Sequence, residues 1–370
     1  MSDIQDRVQE TIDDLVASGA EQGLQVAVYA DGELVVDAVA GFADPATGRA
    51  VTSDTPFFSY SIGKGVAATA VHVLAEQGVI DYDTAIAEVW PEFAAHGKSA
   101  ITLRHALSQS AGVPGLPQDI TIDDLPDWEK MCAVVADETP WWEAGTKVGY
   151  HAITWGFLVG EFIRRVTGKR ISQVAREQVA APLGIERELM LAVPAADLDR
   201  LAVNEDAPVA QGQGDGQDWA MPPDSPMMRI GPWEATSAAY GNRADVRQAD
   251  IPAGRTATAR GVARMYAALL GPVDGVRLIS PERLEQVAAV AASGEDQVFG
   301  FPSAWGLGYS LGQSQSNAHE TQHVFGVGGA GGSNAYADCR TGTTFALTKN
   351  RLTQDFAAAE AVAAVVADAG

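Results

Sequence analysis

The sequence predicts an α+β protein in which one antiparallel sheet is built from both chain ends and flanked by terminal helices, with a large helical domain inserted between. Three observations predict it. Strand-like runs cluster near the two termini, helical spacing fills most of the middle, and the outermost segments are themselves helical. The 370 residues then divide into a sheet domain at 1–77 and 291–370 and a mainly helical inserted domain at 78–290. Two units suit a chain of this length, at roughly 100–200 residues per domain.

The first element is a helix at 4–18, where Ile4, Val8, Ile12, Leu15 and Val16 recur on one side. Two strand-like runs follow at 24–30 and 33–39, and Asp31-Gly32 between them is a two-residue hairpin signal. Residues 63–77 are rich in Ala and Val at helical spacing. Pro and Gly punctuate the middle at 113–117 and 222–232, and 211–217 reads as an exposed, mobile loop. Short strands are expected at 305–311, 333–338 and 343–348, and an alanine-rich helix at 356–367. No internal repeat is visible.

Composition narrows the function. With 46% hydrophobic and 20% charged residues the chain is a folded protein, not a disordered one. Its 25 Lys and Arg against 48 Asp and Glu give a net charge of −23, which argues against nucleic acid or an anionic membrane as partner. The polar, acidic start carries no secretory leader pattern, and no run approaches the roughly 18 apolar residues of a membrane span. Cys132 and Cys339 lie far apart and are expected to be buried small hydrophobes. A cytoplasmic protein is the expectation; the oligomeric state is open.

The strongest chemical signal is Ser61-Ile62-Gly63-Lys64 at the start of a helix. Residues three apart are neighbours on a helix, so the lysine amine can reach the serine hydroxyl. A serine hydroxyl is a weak nucleophile until a base activates it, and a lysine can serve when burial or nearby cations favour its neutral form. Taken alone, Ser-x-x-Lys is also what an exposed helix start looks like. Tyr150, between Gly149 and His151, is by itself an ordinary half-buried aromatic. Trp141, Trp142, Trp305 and Tyr240 are candidate walls for an apolar group, with core packing as the plain alternative.

Two motifs are decoys. Gly308-Tyr309-Ser310-Leu311-Gly312 matches the nucleophile elbow G-x-S-x-G, but it lies in a strand-like run with no helix after it. His319-Glu320-Thr321-Gln322-His323 matches H-E-x-x-H, which needs a helix to aim both imidazoles at one zinc, and its flanks read as loop and sheet. No metal and no cofactor are expected.

The segment from Asp54 to Lys64 resembles the active-site segment of the serine β-lactamase-like family, which includes class C β-lactamases, D-alanyl-D-alanine carboxypeptidases, family VIII carboxylesterases and related acyltransferases. Three more segments match in the same order. Residues 101–114 resemble the family's Thr-Leu-Arg-His stretch, with Gln109 where a histidine is frequent. Residues 145–152 resemble the Tyr-x-Asn segment, with Ala152 in place of the asparagine. Residues 325–333 resemble the strand carrying Lys-Thr-Gly or His-x-Gly, here Val327-Gly328-Gly329.

The resemblance implies that Ser61 is the nucleophile and that Lys64 and Tyr150 move protons, the phenol pKa being lowered by the lysine ammonium. It also implies an oxyanion hole from the N–H groups of Ser61 and Ala330. Substrate contacts fall to Val327, Gly328, Gly329, Trp305 and Gln109. His151 is expected to be structural. Valine at 327 cannot bind a substrate carboxylate as lysine or histidine would, and the missing asparagine amide points the same way. The expected activity is therefore that of a serine hydrolase forming an acyl-enzyme on small neutral esters, with amides as a second substrate type. The alternatives are an acyltransferase passing the acyl group to an alcohol or amine, a β-lactamase or D-alanyl peptidase, and a non-catalytic binding protein of the same fold.

Overall fold

A computed structural model describes residues 2–208, 225–251, 256–312 and 323–368. Its centre is a nine-stranded sheet. In spatial order the strands are Arg49–Ala50, Glu33–Asp44, Gly23–Ala30, Thr343–Lys349, Asn334–Asp338, Val324–Gly328, Ser310–Leu311, Pro302–Trp305 and Ala292–Glu295. Every pairing in it is antiparallel. The two chain ends meet where Gly23–Ala30 lies against Thr343–Lys349, with Val26 opposite Leu347.

The strand Gly23–Ala30 is buried on both faces, which explains its nearly unbroken apolar run. Val26 and Val28 pack with Val8, Ile12 and Val362 of the terminal helices Ser2–Ala17 and Ala357–Ala367. Ala27 and Tyr29 belong to the larger core on the opposite face, shared with the helices Ile62–Glu76 and Ala259–Leu270. Asp31 and Gly32 both take positive φ, 50° and 83°, as the tight hairpin requires. The helix Ile62–Glu76 is buried along nearly its whole length, so its small and branched residues have no polar face to alternate with.

Residues between this helix and the last strands are mainly helix and loop. They include the helix Thr154–Thr167 and the two-residue strands Leu189–Met190 and Thr256–Ala257, the latter paired with Phe57–Phe58 just ahead of Ser61. Helix Ala259–Leu270 leaves this segment to cover the sheet, where Thr344 Oγ1 donates to Ala263 O at 2.9 Å. The loop expected at 211–217 lies outside the described residues.

Two expectations need correction, and one strand was not foreseen. Residues 305–311 form not one strand but the facing ends of two, joined by a turn at Gly306–Tyr309. Gly308 makes that turn, with φ of 86° and a position where a Cβ would lie 2.3 Å from Ala68 Cβ. The strand Ala292–Glu295 escapes a hydrophobicity reading because it is a polar, exposed edge. Cys132 is buried as expected, but Cys339 is exposed in the turn after Asn334–Asp338. Among the described residues, no helix is long and apolar enough to cross a membrane.

Candidate active site

Ser61 stands between the strand Phe57–Phe58 and the helix Ile62–Glu76. The turn between them is made at Tyr60, whose φ of 48° is left-handed, a conformation that costs a bulky residue about 1–3 kcal/mol. The Tyr60 side chain is anchored: its hydroxyl donates to Ser237 O at 2.8 Å and its ring meets Phe58 edge-on at 4.9 Å. The fold thus holds the residue before Ser61 in a strained shape and fixes where the serine points.

One turn on, Lys64 is fully buried, with Nζ 3.1 Å from Ser61 Oγ. It also donates to Ala152 O at 2.7 Å and lies 4.8 Å from the centroid of the Tyr150 ring, over its negative face. Ala152 replaces a polar side chain with a methyl, yet its carbonyl still positions the lysine.

Tyr150 donates its hydroxyl to Ser61 Oγ at 2.7 Å. Burial pushes the phenol pKa up to about 12, partly offset by the Ser61 hydrogen bond and assisted by Asp296. The lowering expected from the lysine ammonium is therefore wrong in direction, because desolvation dominates. Tyr150 is a proton donor in the resting site. Its backbone is fixed from behind. Gln109, at φ 59°, accepts Gly149 N at its carbonyl (3.0 Å) and His151 N at its side-chain oxygen (2.8 Å). Gln109 was expected to contact substrate, but it is fully buried and hydrogen-bonds the backbone on both sides of Tyr150.

His151 is structural, as expected. Nδ1–H donates to Gly149 O at 2.7 Å and Nε2 accepts Val113 N at 2.9 Å. Burial pushes its pKa down to about 3, so it is neutral.

The glycine-rich strand end reaches Ser61 from the other side. Val327 is buried beside Gly65, and Gly328 faces the opposite way, toward the Phe356 ring. Gly329 lies so close that a Cβ there would sit 2.1 Å from Ser59 O and 3.5 Å from Ser61 N. The exposed turn residue Ala330 follows directly. Ala330, whose amide forms the expected oxyanion pair with that of Ser61, thus follows a glycine held against the Ser59–Ser61 backbone. Gly329→Ala must push this turn away, and kcat/KM for any ester is expected to fall about 10²–10³-fold, the loss typical of one missing oxyanion donor. Hydrolysis assays beside a thermal melt check this; unchanged kcat/KM would remove Ala330 from the site.

Of the expected walls, Trp305 stacks on Tyr150 at 5.8 Å. Trp142 packs against His151, Trp141 lies under the Arg229 guanidinium, and Tyr240 joins the main core. Ser310 pairs with Gly326 and Trp305 inside the sheet, so it has no elbow. His319 and Glu320 lie outside the described residues, and His323 immediately precedes the strand Val324–Gly328. Tyr60 and Asp296 were missed by sequence reasoning: one acts through backbone conformation, the other by accepting Tyr150 N at 3.2 Å from far along the chain.

A sheet from both chain ends, with a serine at the head of a buried helix, defines the β-lactamase and transpeptidase-like class of serine hydrolases. The chain belongs to the β-lactamase family: the family model described as Beta-lactamase matches residues 8–368. It is 35% identical over 343 residues to Esterase/beta-lactamase LipL of Mycobacterium tuberculosis (strain ATCC 25618 / H37Rv), covering 89% of this chain and 77% of that protein. A family VIII carboxylesterase structure superposes with a TM-score of 0.86 at 30% identity, over 99% of this chain and 97% of the other. A penicillin-binding protein homolog from Caulobacter crescentus gives 0.84 at 33% identity, over 97% and 98%.

Proposed function

We propose that this protein is a carboxylesterase that forms a covalent acyl-enzyme on Ser61 with small neutral esters. Ser61 Oγ attacks the carbonyl while the Lys64 amine takes its proton, and the amides of Ser61 and Ala330 stabilise the oxyanion. Tyr150 gives its proton to the leaving alkoxide and is reprotonated by the Lys64 ammonium. Water then enters, and the same groups run the steps in reverse.

The observation that carries the preference for uncharged substrates is Val327, buried and apolar where a substrate carboxylate would need a cation. The family VIII carboxylesterase likeness supports it. The test is incubation with a serine-directed fluorophosphonate, with peptide mapping, beside hydrolysis of p-nitrophenyl butyrate. Label on Ser61 and ester turnover are expected; no label would favour a binding protein that has kept the fold, and label on Ser310 would move the nucleophile. Adding an alcohol or amine acceptor and analysing products separates hydrolysis from acyl transfer.

The likeness to LipL, an esterase/beta-lactamase by name, favours β-lactam hydrolysis as the second reading. Val327→Lys tests what divides the two. A charge-assisted hydrogen bond to a substrate carboxylate contributes about 1.5–3 kcal/mol, and burial of the new ammonium opposes it. The kcat/KM ratio of a chromogenic cephalosporin to p-nitrophenyl butyrate is expected to rise about tenfold. Equal changes on both substrates would show that pocket shape, not charge, sets the preference.

A further inference from the structure

The hairpin joining Ala292–Glu295 to Pro302–Trp305 takes no part in the proton transfers above, yet its tip is fastened to the candidate general acid. Asp296 is buried, and its Oδ1 accepts from three amides: Tyr150 at 3.2 Å, Val298 at 2.9 Å and Phe299 at 2.9 Å. Asp296 N donates to Phe301 O at 2.9 Å and Gly300 N to Asp296 O at 2.7 Å, which closes the tip. A loop with its backbone groups so paired holds its side chains in fixed positions.

What it holds is a row of rings. Trp305 and Tyr150 lie 5.8 Å apart at 25°, Tyr150 and Phe299 5.2 Å at 25°, and Phe299 and Phe301 5.3 Å at 3°. Exposure rises along the row. Trp305 is buried at 6%, Phe299 is half-buried and Phe301 is 38% exposed. The ring that touches the nucleophile therefore continues into an aromatic surface open to solvent. The fastened loop thus presents the edge of Phe299 and the exposed Phe301 ring beside Tyr150.

We propose that Phe299 and Phe301 form a platform for the leaving group and select esters of aromatic alcohols, an inference that rests on the esterase reading. Acylation forms the bond from Ser61 Oγ to the carbonyl carbon and breaks the bond from that carbon to the alcohol oxygen. The oxygen leaves with the Tyr150 proton, so it must lie against the Tyr150 hydroxyl. The substituent it carries then extends over the rings that continue from Tyr150. Phe299 is stacked between Tyr150 and Phe301, so an aryl group gains there by edge contact with Phe299 and by stacking or edge contact with the outer Phe301 ring, equivalent to about 2- to 10-fold in kcat/KM per ring.

Benzyl acetate and n-propyl acetate test this, because both give the same acetyl-enzyme and differ only in the alcohol. The wild type is expected to prefer benzyl acetate. Phe299→Ala and Phe301→Ala are each expected to lower that preference about 2- to 10-fold, and Phe299→Leu, which keeps the bulk, to lower it as well. Loss of equal size on both acetates overturns the platform and leaves the esterase reading standing. So does a loss that appears only when the aryl group is on the acyl side, as in ethyl phenylacetate against ethyl butyrate. If the wild type hydrolyses neither acetate, or Ser61→Ala hydrolyses them as well as the wild type, the esterase reading falls and the platform with it.

Discussion

Ser61→Ala is expected to lower ester turnover by a factor on the order of 10⁵–10⁶ and to abolish fluorophosphonate labelling, while the thermal midpoint stays near that of the wild type. The size follows from the proposed mechanism, in which Ser61 Oγ forms the acyl bond while Lys64 and Tyr150, both within hydrogen-bond distance of it, only move protons. The small effect on stability follows from the helix start. Ser61 occupies the N-cap position of Ile62–Glu76 but its side chain makes no capping hydrogen bond, so alanine loses none. Lys64 keeps its bond to Ala152 O. Circular dichroism and a melt show whether the variant is folded; retained turnover in a folded variant would exclude Ser61 as nucleophile.

Much of this site was legible in the sequence because it is local. Ser61 and Lys64 are one helical turn apart, so spacing alone brings them together. The pairing of the chain ends was legible as two groups of alternating or continuous apolar runs. Tyr150 was reached only through resemblance, since 89 positions separate it from Ser61 and no periodicity links them. Its environment was not legible. The direction of its pKa depends on how completely Phe299, Trp305 and their neighbours bury it, and adjacency to a lysine suggested the opposite sign. Gln109 misled for a related reason. A polar residue in a matched motif looks like a substrate contact, but its left-handed backbone turns it toward the chain flanking Tyr150. Strand boundaries failed at Gly308, where the missing Cβ allows a turn against Ala68 that hydrophobicity cannot register.

The two proton carriers are expected to behave as one unit. Lys64→Met, which fills the buried space of the lysine stem, and Tyr150→Phe should each lower kcat by about 10²–10⁴, the range for removing a positioned acid or base. The double variant should be no slower than the worse single variant, because in the proposed mechanism the serine proton passes from Oγ to Lys64 and from there to Tyr150, and cutting the path twice costs little more than cutting it once. A double defect equal to the product of the singles would mean that the two residues serve separate paths. The pH profile separates their roles. With the Tyr150 pKa at about 12, the folded enzyme holds that proton more tightly than the unfolded chain, whose phenol titrates near about pH 10. Tyr150 thus contributes stability that is fully present below about pH 10 and is lost as pH rises toward 12. Ionisation of Tyr150 then puts no alkaline limb on kcat/KM below about pH 10. Tyr150→Phe should lower the profile without moving any limb in that range. Disappearance of an alkaline limb near pH 8 or 9 in the phenylalanine variant would show that the phenol ionises early after all, and that Tyr150 rather than Lys64 takes the serine proton.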